Sequence, residues 1–207
     1  TYEYEAIIPG LLKRWYAERQ EMQQKMRDCG DNEIEREYWD KRQLVKKINL
    51  NSLYGAILNP GCRFFDIRIG QSVTLTGRCI TKHMASKVNE IVAGKYDHKG
   101  ESIVYGDTDS VYFTAHRTLK KEIQQGSIPW TKDSVVSLYD KISDEVNGSF
   151  KAFMTKAFHT PSTRGEVIKA GRELVASKGL FITKKRYAVL YYDKEGHRTD
   201  VEGKEGK

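Results

Sequence analysis

Between residues 7 and 27, Leu11, Leu12, Trp15, Met22 and Met26 recur at roughly three- and four-residue spacing, and this periodicity constrains the fold more than any other feature of the chain. It predicts a helix from Ile7 to Arg27, about 30 Å long at ~1.5 Å per residue, with Pro9 accommodated in its first turn. Cys29-Gly30-Asp31-Asn32 reads as a stop followed by a capping residue, after which Glu33 to Leu53 resumes as a second, charge-rich helix. Two long helices joined by so short a turn have to run antiparallel, as a helical hairpin.

The remainder mixes element types. Asn59-Pro60-Gly61 breaks the second helix, and Arg63 to Ile69 reads as a short extended or irregular link. A third helix is expected from Ser72 to Ala93, with Val73, Ile80, Met84, Val88 and Ile91 as its apolar stripe and Gly77 as a weak point. Two short strands lie within Ile103 to Phe113, around the turn Gly106-Asp107-Thr108-Asp109-Ser110. Leu138 to Phe158 is a fourth amphipathic helix, and Tyr187 to Tyr192 is strand-like, leading through Asp193-Lys194-Glu195-Gly196 into a second hairpin strand. There is no internal repeat, and only Glu202 to Lys207 is low in complexity. The expected fold class is α+β, an antiparallel helical hairpin followed by an antiparallel sheet with packed helices.

Hydrophobic residues make up 39% of the 207, enough for a core, yet no run approaches the about 18 uncharged apolar residues of a membrane span. With no signal-peptide plan at the N-terminus, an intracellular protein is expected. Cys29, Cys62 and Cys79 are odd in number and far from CxxC spacing, which argues against a disulfide framework or a zinc site. The net charge of +7 favours a polyanionic partner, although an ordinary solvated surface carries a similar excess.

Three constellations carry chemistry. Asp107 and Asp109 stand two residues apart in Tyr105-Gly106-Asp107-Thr108-Asp109-Ser110, where both carboxylates can aim at one point. Their mutual repulsion calls for hydrogen-bond donors or a hard cation such as Mg²⁺, and the ordinary alternative is a turn with solvated aspartates. On the second helix Lys47, Asn51 and Tyr54 fall on one face and lead into Gly55, so a cation, an amide and a phenol form one stripe. That stripe suits a phosphate and a base or sugar, and it also reads as a plain helix face running into a C-cap. Lys184-Lys185-Arg186-Tyr187 opens an apolar strand with a compact basic cluster, suited to phosphodiester contact or to a solvated strand end.

Together and in this order, these segments resemble the fingers and palm of family B DNA polymerases, and among them the replicative polymerases of T4-like phages. Lys47 with Asn51-Ser52-Leu53-Tyr54-Gly55 is similar to the fingers motif, Tyr105 to Ser110 to the metal-binding palm motif, and Lys184 to Tyr187 to the primer-contacting motif. Arg63-Phe64-Phe65-Asp66-Ile67-Arg68 is similar to a family segment just after the fingers. The resemblance implies fingers over residues 1–59 and a partial palm over 60–207. It implies nucleotidyl transfer from a deoxynucleoside triphosphate to a primer 3′-hydroxyl on primer–template DNA, with two Mg²⁺ ions. Asp107 and Asp109 would be catalytic and metal-binding, with Glu166 a further metal carboxylate. Arg19, Lys47, Asn51 and Tyr54 would meet the nucleotide, and Lys184, Lys185, Arg186 and Tyr187 the DNA. One turn beyond Arg19, relatives place a lysine where this chain has Gln23.

The family also carries a metal-binding aspartate in a segment before the fingers, and that segment, the exonuclease domain and the thumb have no counterpart here. The chain is therefore expected to be a split-gene product or fragment, inactive alone and completed by a second polypeptide or missing region. If phage-encoded, it would work in the cytoplasm of an infected bacterium. The competing reading is a non-catalytic nucleic-acid-binding or assembly subunit that supplies fingers and half a palm to a partner.

Overall fold

A computed structural model describes residues 5–199. The low-complexity residues 202–207 lie outside that range. The chain divides into two compact units, one ending at Thr74 and the other starting at Leu75.

In the first unit, α1 (Ile7–Asp28) and α2 (Glu33–Ile57) form the expected hairpin. Trp15 and Glu18 meet Lys46, Arg19 meets Gln43, and Lys25 meets Trp39, the descending partner numbers of an antiparallel pair. Gly30 turns the chain with φ +54°, and Asn32 caps α2 by accepting the Glu35 N–H at 3.2 Å. No residue of α1 is fully buried, because two helices alone cannot enclose a side chain; an ion pair, a hydrogen bond and cation–π contacts cross the seam.

α2 runs four residues beyond the expected Leu53, so Gly55 lies inside the helix and the end falls at Leu58, whose N–H bonds Gly55 O at 3.1 Å. α3 (Ile67–Ala93) starts earlier than Ser72, because Asp66 accepts the Arg68 N–H at 2.9 Å and caps a helix where an irregular link is expected. Gly70 is required in its first turn, since a Cβ there would lie 1.9 Å from Leu58 Cδ2.

The second unit begins within α3 and packs it against α5 (Lys132–Phe158), around a core of Val88, Ile142, Val146 and Phe150. Val73, expected in the α3 stripe, is instead 52% exposed. α5 starts six residues before the expected Leu138, because Thr131 and Ser134 cap each other's backbone groups in a capping box. The short helices α4 (Lys120–Gln124) and α6 (Ser162–Gly165) flank it.

The strands form two small antiparallel sheets. β1 (Ile103–Asp107) pairs with β2 (Ser110–Phe113), while β3 (Leu174–Thr183), β4 (Arg186–Lys194) and β5 (His197–Arg198) form the other. β3 is not visible in the sequence pattern, since Lys178 and Gly179 interrupt its alternation and its register shifts three times against β4. Among the described residues no helix is long and apolar enough to cross a membrane.

Candidate active site

The two aspartates sit at the tip of the β1–β2 hairpin. Gly106 pairs with Val111 and Asp107 with Ser110, so the turn narrows to Thr108 and Asp109, tighter than the five-residue turn read from sequence. Thr108 adopts φ +22°, an unusual value for a β-branched residue. Its backbone N–H and hydroxyl both donate to Asp107 Oδ1, at 3.0 and 3.2 Å.

The two carboxylates are therefore unequal. Asp107 is half-buried, accepts these local bonds, and lies 3.7 Å from Lys184 Nζ. Burial pushes its carboxyl pKa up, but the Thr108 hydrogen bonds and the charges of Lys184 and Lys185 outweigh it and hold the pKa below the ordinary value. Asp109 is exposed at the turn and lines a cleft of about 550 Å³ with Thr114, Tyr139, Lys169, Arg172 and Lys178.

The β3–β4 hairpin brings the basic cluster to the same place. Lys184 and Lys185 are its turn residues and do not open a strand as the sequence suggests; β4 starts at Arg186. Lys185 has φ +63°, and its N–H donates to Tyr105 Oη at 2.9 Å. Tyr112 Oη donates to Tyr187 Oη at 3.0 Å, and burial together with that bond raises the Tyr112 pKa. Tyr105, Tyr112, Phe181 and Tyr187 pack as one cluster with ring centroids 5.3 to 5.9 Å apart, joining two sheets that share no backbone ladder.

The supports behind this tip are invisible in the sequence pattern. Asn89 on α3 accepts the N–H of fully buried Ser102 at 3.2 Å and donates to Lys95 O at 2.7 Å, fixing the entry to β1. Gly100 is obligatory beside it, as a Cβ would lie 2.1 Å from the Asn89 amide. Asn147 on α5 both donates to Ala170 O and accepts from Ala170 N, and Arg172 bridges Asp140 to buried Asp193. These residues hold the segment running into β3.

Glu166 stands elsewhere in the pattern of contacts. Its carboxylate accepts from Lys151 Nζ at 2.6 Å, and that bond lowers its pKa. Among the described residues no three of His, Cys, Asp and Glu gather into a metal-holding group, so Asp107, Asp109 and Glu166 do not converge.

In the first unit, the continuity of α2 keeps Lys47, Asn51 and Tyr54 on one helix face. Lys47 and Asn51 are exposed, and among the described residues Lys47 has no ion-pair partner, whereas neighbouring Lys46 is held by Glu18 at 2.5 Å. Tyr54 is half-buried, with its hydroxyl donating to Gly70 O at 3.2 Å, a bond that ties the ring to the start of α3. Arg19 Nε donates to Gln43 Oε1 at 3.1 Å. Gln23 is half-buried, and Lys25 is spent within the hairpin, on Glu21 at 2.8 Å and over the Trp39 ring at 4.8 Å.

Comparison with known proteins gives a consistent result. The model of DNA polymerase family B matches residues 1–156. The DNA-directed DNA polymerase of Escherichia phage RB69 is 33% identical over 75% of this chain and 18% of its own length. The DNA polymerase delta catalytic subunit of Oryza sativa subsp. japonica is 30% identical over 90% of the chain and 14% of its own, and the DNA polymerase of Pyrococcus glycovorans 28% over 94% and 20%. The chain thus spans a fifth or less of the length of these relatives.

Proposed function

The chain belongs to DNA polymerase family B, and from that premise we propose that it takes part in template-directed DNA synthesis, transferring a nucleotidyl group from a deoxynucleoside triphosphate to a primer 3′-hydroxyl. The observation that carries this reading is the approach of the basic hairpin turn to the carboxylate turn, with Lys184 Nζ 3.7 Å from Asp107. Cations suited to a DNA backbone and carboxylates suited to a divalent ion lie at the neighbouring tips of two hairpins.

Oxygen donors in a pair of carboxylates fit Mg²⁺, which takes one or two such ligands and completes its shell with water and substrate phosphate. Asp109, exposed and without a side-chain hydrogen bond among the described residues, is the principal ligand on this reading, and Asp107 the supporting one. When bound, the ion supplies charge stabilisation at the reacting phosphate. Lys47 and Arg19 neutralise the triphosphate, Asn51 orients it, and the ring face of Tyr54 packs against the base. Arg19 must exchange its bond with Gln43 for one with phosphate, a substitution of a neutral acceptor by an anionic one. Lys184, Lys185, Arg186 and Tyr187 hold the primer strand. A further carboxylate comes from polymerase residues outside this chain, in a longer or second polypeptide.

Lys47→Ala and Lys185→Ala in the polymerase that contains this chain test the assignment. Lys47→Ala is expected to raise the nucleotide requirement or slow incorporation with DNA affinity nearly unchanged. Lys185→Ala is expected to weaken primer–template binding and reduce its salt slope by about one counterion. Indistinguishable profiles remove the site-specific reading. The alternative, a non-catalytic subunit that binds nucleic acid and assembles with a partner, predicts instead that Asp109→Asn leaves the assembled activity intact.

A further inference from the structure

We infer that Thr81, on α3, is a positioning residue for the carboxylate turn, an inference that rests on the functional reading above and extends it to a residue outside every motif. Thr81 Oγ1 donates to Thr108 O at 2.9 Å across 27 residues of sequence. The same hydroxyl lies 3.1 Å from Gly77 O, one helical turn back, so its single proton has a local partner available and is shared with the turn.

This contact matters because of where Thr108 sits. Its N–H and its hydroxyl are committed to Asp107 Oδ1, and its φ of +22° is unfavourable for a β-branched side chain. Backbone geometry of that kind persists only where the surroundings impose it. The Thr108 carbonyl is the remaining polar handle on the residue, and it belongs to the peptide that leads directly into Asp109. A bond to that carbonyl fixes the orientation of the Thr108–Asp109 peptide plane, and with it the direction in which the Asp109 side chain leaves the backbone. Among the described residues Asp109 has no side-chain bond of its own to set that direction, unlike Asp107. α3 gives this bond a rigid base, because Ile80 and Met84, on either side of Thr81, pack on the core shared with α5. The turn is thus held from two sides, by Asp107 within the hairpin and by Thr81 from the helix beneath.

The test uses the full chain with three variants, Thr81→Val, which keeps the shape and removes the hydroxyl, Thr81→Ser, which keeps the hydroxyl, and Thr81→Ala. Amide exchange by NMR is expected to speed up at Ser110, which closes the turn opposite Asp107, in Thr81→Val by roughly five- to tenfold, the worth of one hydrogen bond, and to stay within about twofold of wild type in Thr81→Ser. Thr81→Ala gives the same reading if Thr81→Val does not fold. Mn²⁺ titration followed by EPR is expected to show a similar five- to tenfold loss of affinity, restored by Thr81→Ser, at a site that Asp109→Asn removes. An unchanged Ser110 amide in Thr81→Val or Thr81→Ala, or a Thr81→Ser variant that behaves like them, overturns the inference. Responsive amides with unaltered Mn²⁺ affinity at the Asp109 site also overturn it, by reducing Thr81 to a structural contact. Responsive amides with Mn²⁺ binding indifferent to Asp109→Asn sink the metal reading of the site and leave the anchor standing.

Discussion

The backbone N–H of Lys185 donates to the hydroxyl of Tyr105 at 2.9 Å, across 80 residues of sequence. One residue opens the basic turn's exit into β4, and the other lies two positions before Asp107 on β1. The bond registers two hairpins whose strands never pair, and it supports Lys185 in a left-handed conformation that a residue with a side chain adopts reluctantly. Tyr105→Phe is expected to cost about 0.5–1.5 kcal/mol in urea denaturation and to change the Lys185 amide shift. A variant that leaves both unchanged removes the latch.

Asp109→Asn is expected to lower nucleotide incorporation by roughly 10²-fold or more in the polymerase containing this chain, with primer–template affinity little altered. On the proposed reading the charge acts on the divalent ion and the reacting phosphate, not on the duplex. Incorporation rate and DNA affinity measured on the same preparation check this, and a rate within a few-fold of wild type refutes the assignment.

Arg172→Met is expected to destabilise the second unit by about 3–5 kcal/mol in chemical denaturation. Arg172 reaches both Asp140 and Asp193, and the Asp193 side chain is only 3% exposed, so removal of the guanidinium strands a buried carboxylate. A loss below about 1 kcal/mol contradicts the picture of a charge held out of water.

His83 sets an acid limit on stability. Its ring stacks on Phe153, with Nδ1 2.8 Å from Tyr96 Oη and Nε2 2.9 Å from Ser149 Oγ, and burial, followed by the nearby Lys87 charge, lowers its pKa from 6.5. The unfolded chain then binds this proton at a higher pH than the folded one. The stability associated with neutral His83 is fully present above pH 6.5 and falls as the pH drops through that value toward the folded pKa. Melting temperatures between pH 7.5 and 5 are expected to slope more steeply for wild type than for His83→Gln; parallel slopes contradict the assignment.

How legible this protein is depends on the range of the interactions concerned. The helical hairpin, its Gly30-Asn32 turn and the strand pair around Asp107 and Asp109 are all readable in sequence order, because periodicity, capping and turn chemistry act between residues a few positions apart. Boundaries are less so. α2 passes through Gly55, and α3 is capped at Asp66, because packing and one cap outweigh local propensity. β3 is hidden for a related reason: pairing with β4 sustains a strand whose own pattern is broken by Lys178, Gly179 and bulges. Residue order alone sets which chemical groups are available, two carboxylates, a basic cluster and a Lys47-Asn51-Tyr54 stripe. Their neighbours are a matter of the three-dimensional fold. It puts Lys184 against Asp107 and Lys151 on Glu166, and it brings the Thr81 hydroxyl to the carbonyl that precedes Asp109. A hydrogen bond between residues 27 or 80 apart has no periodic signature; it exists only once the intervening chain has folded and its closure entropy has been met by the core.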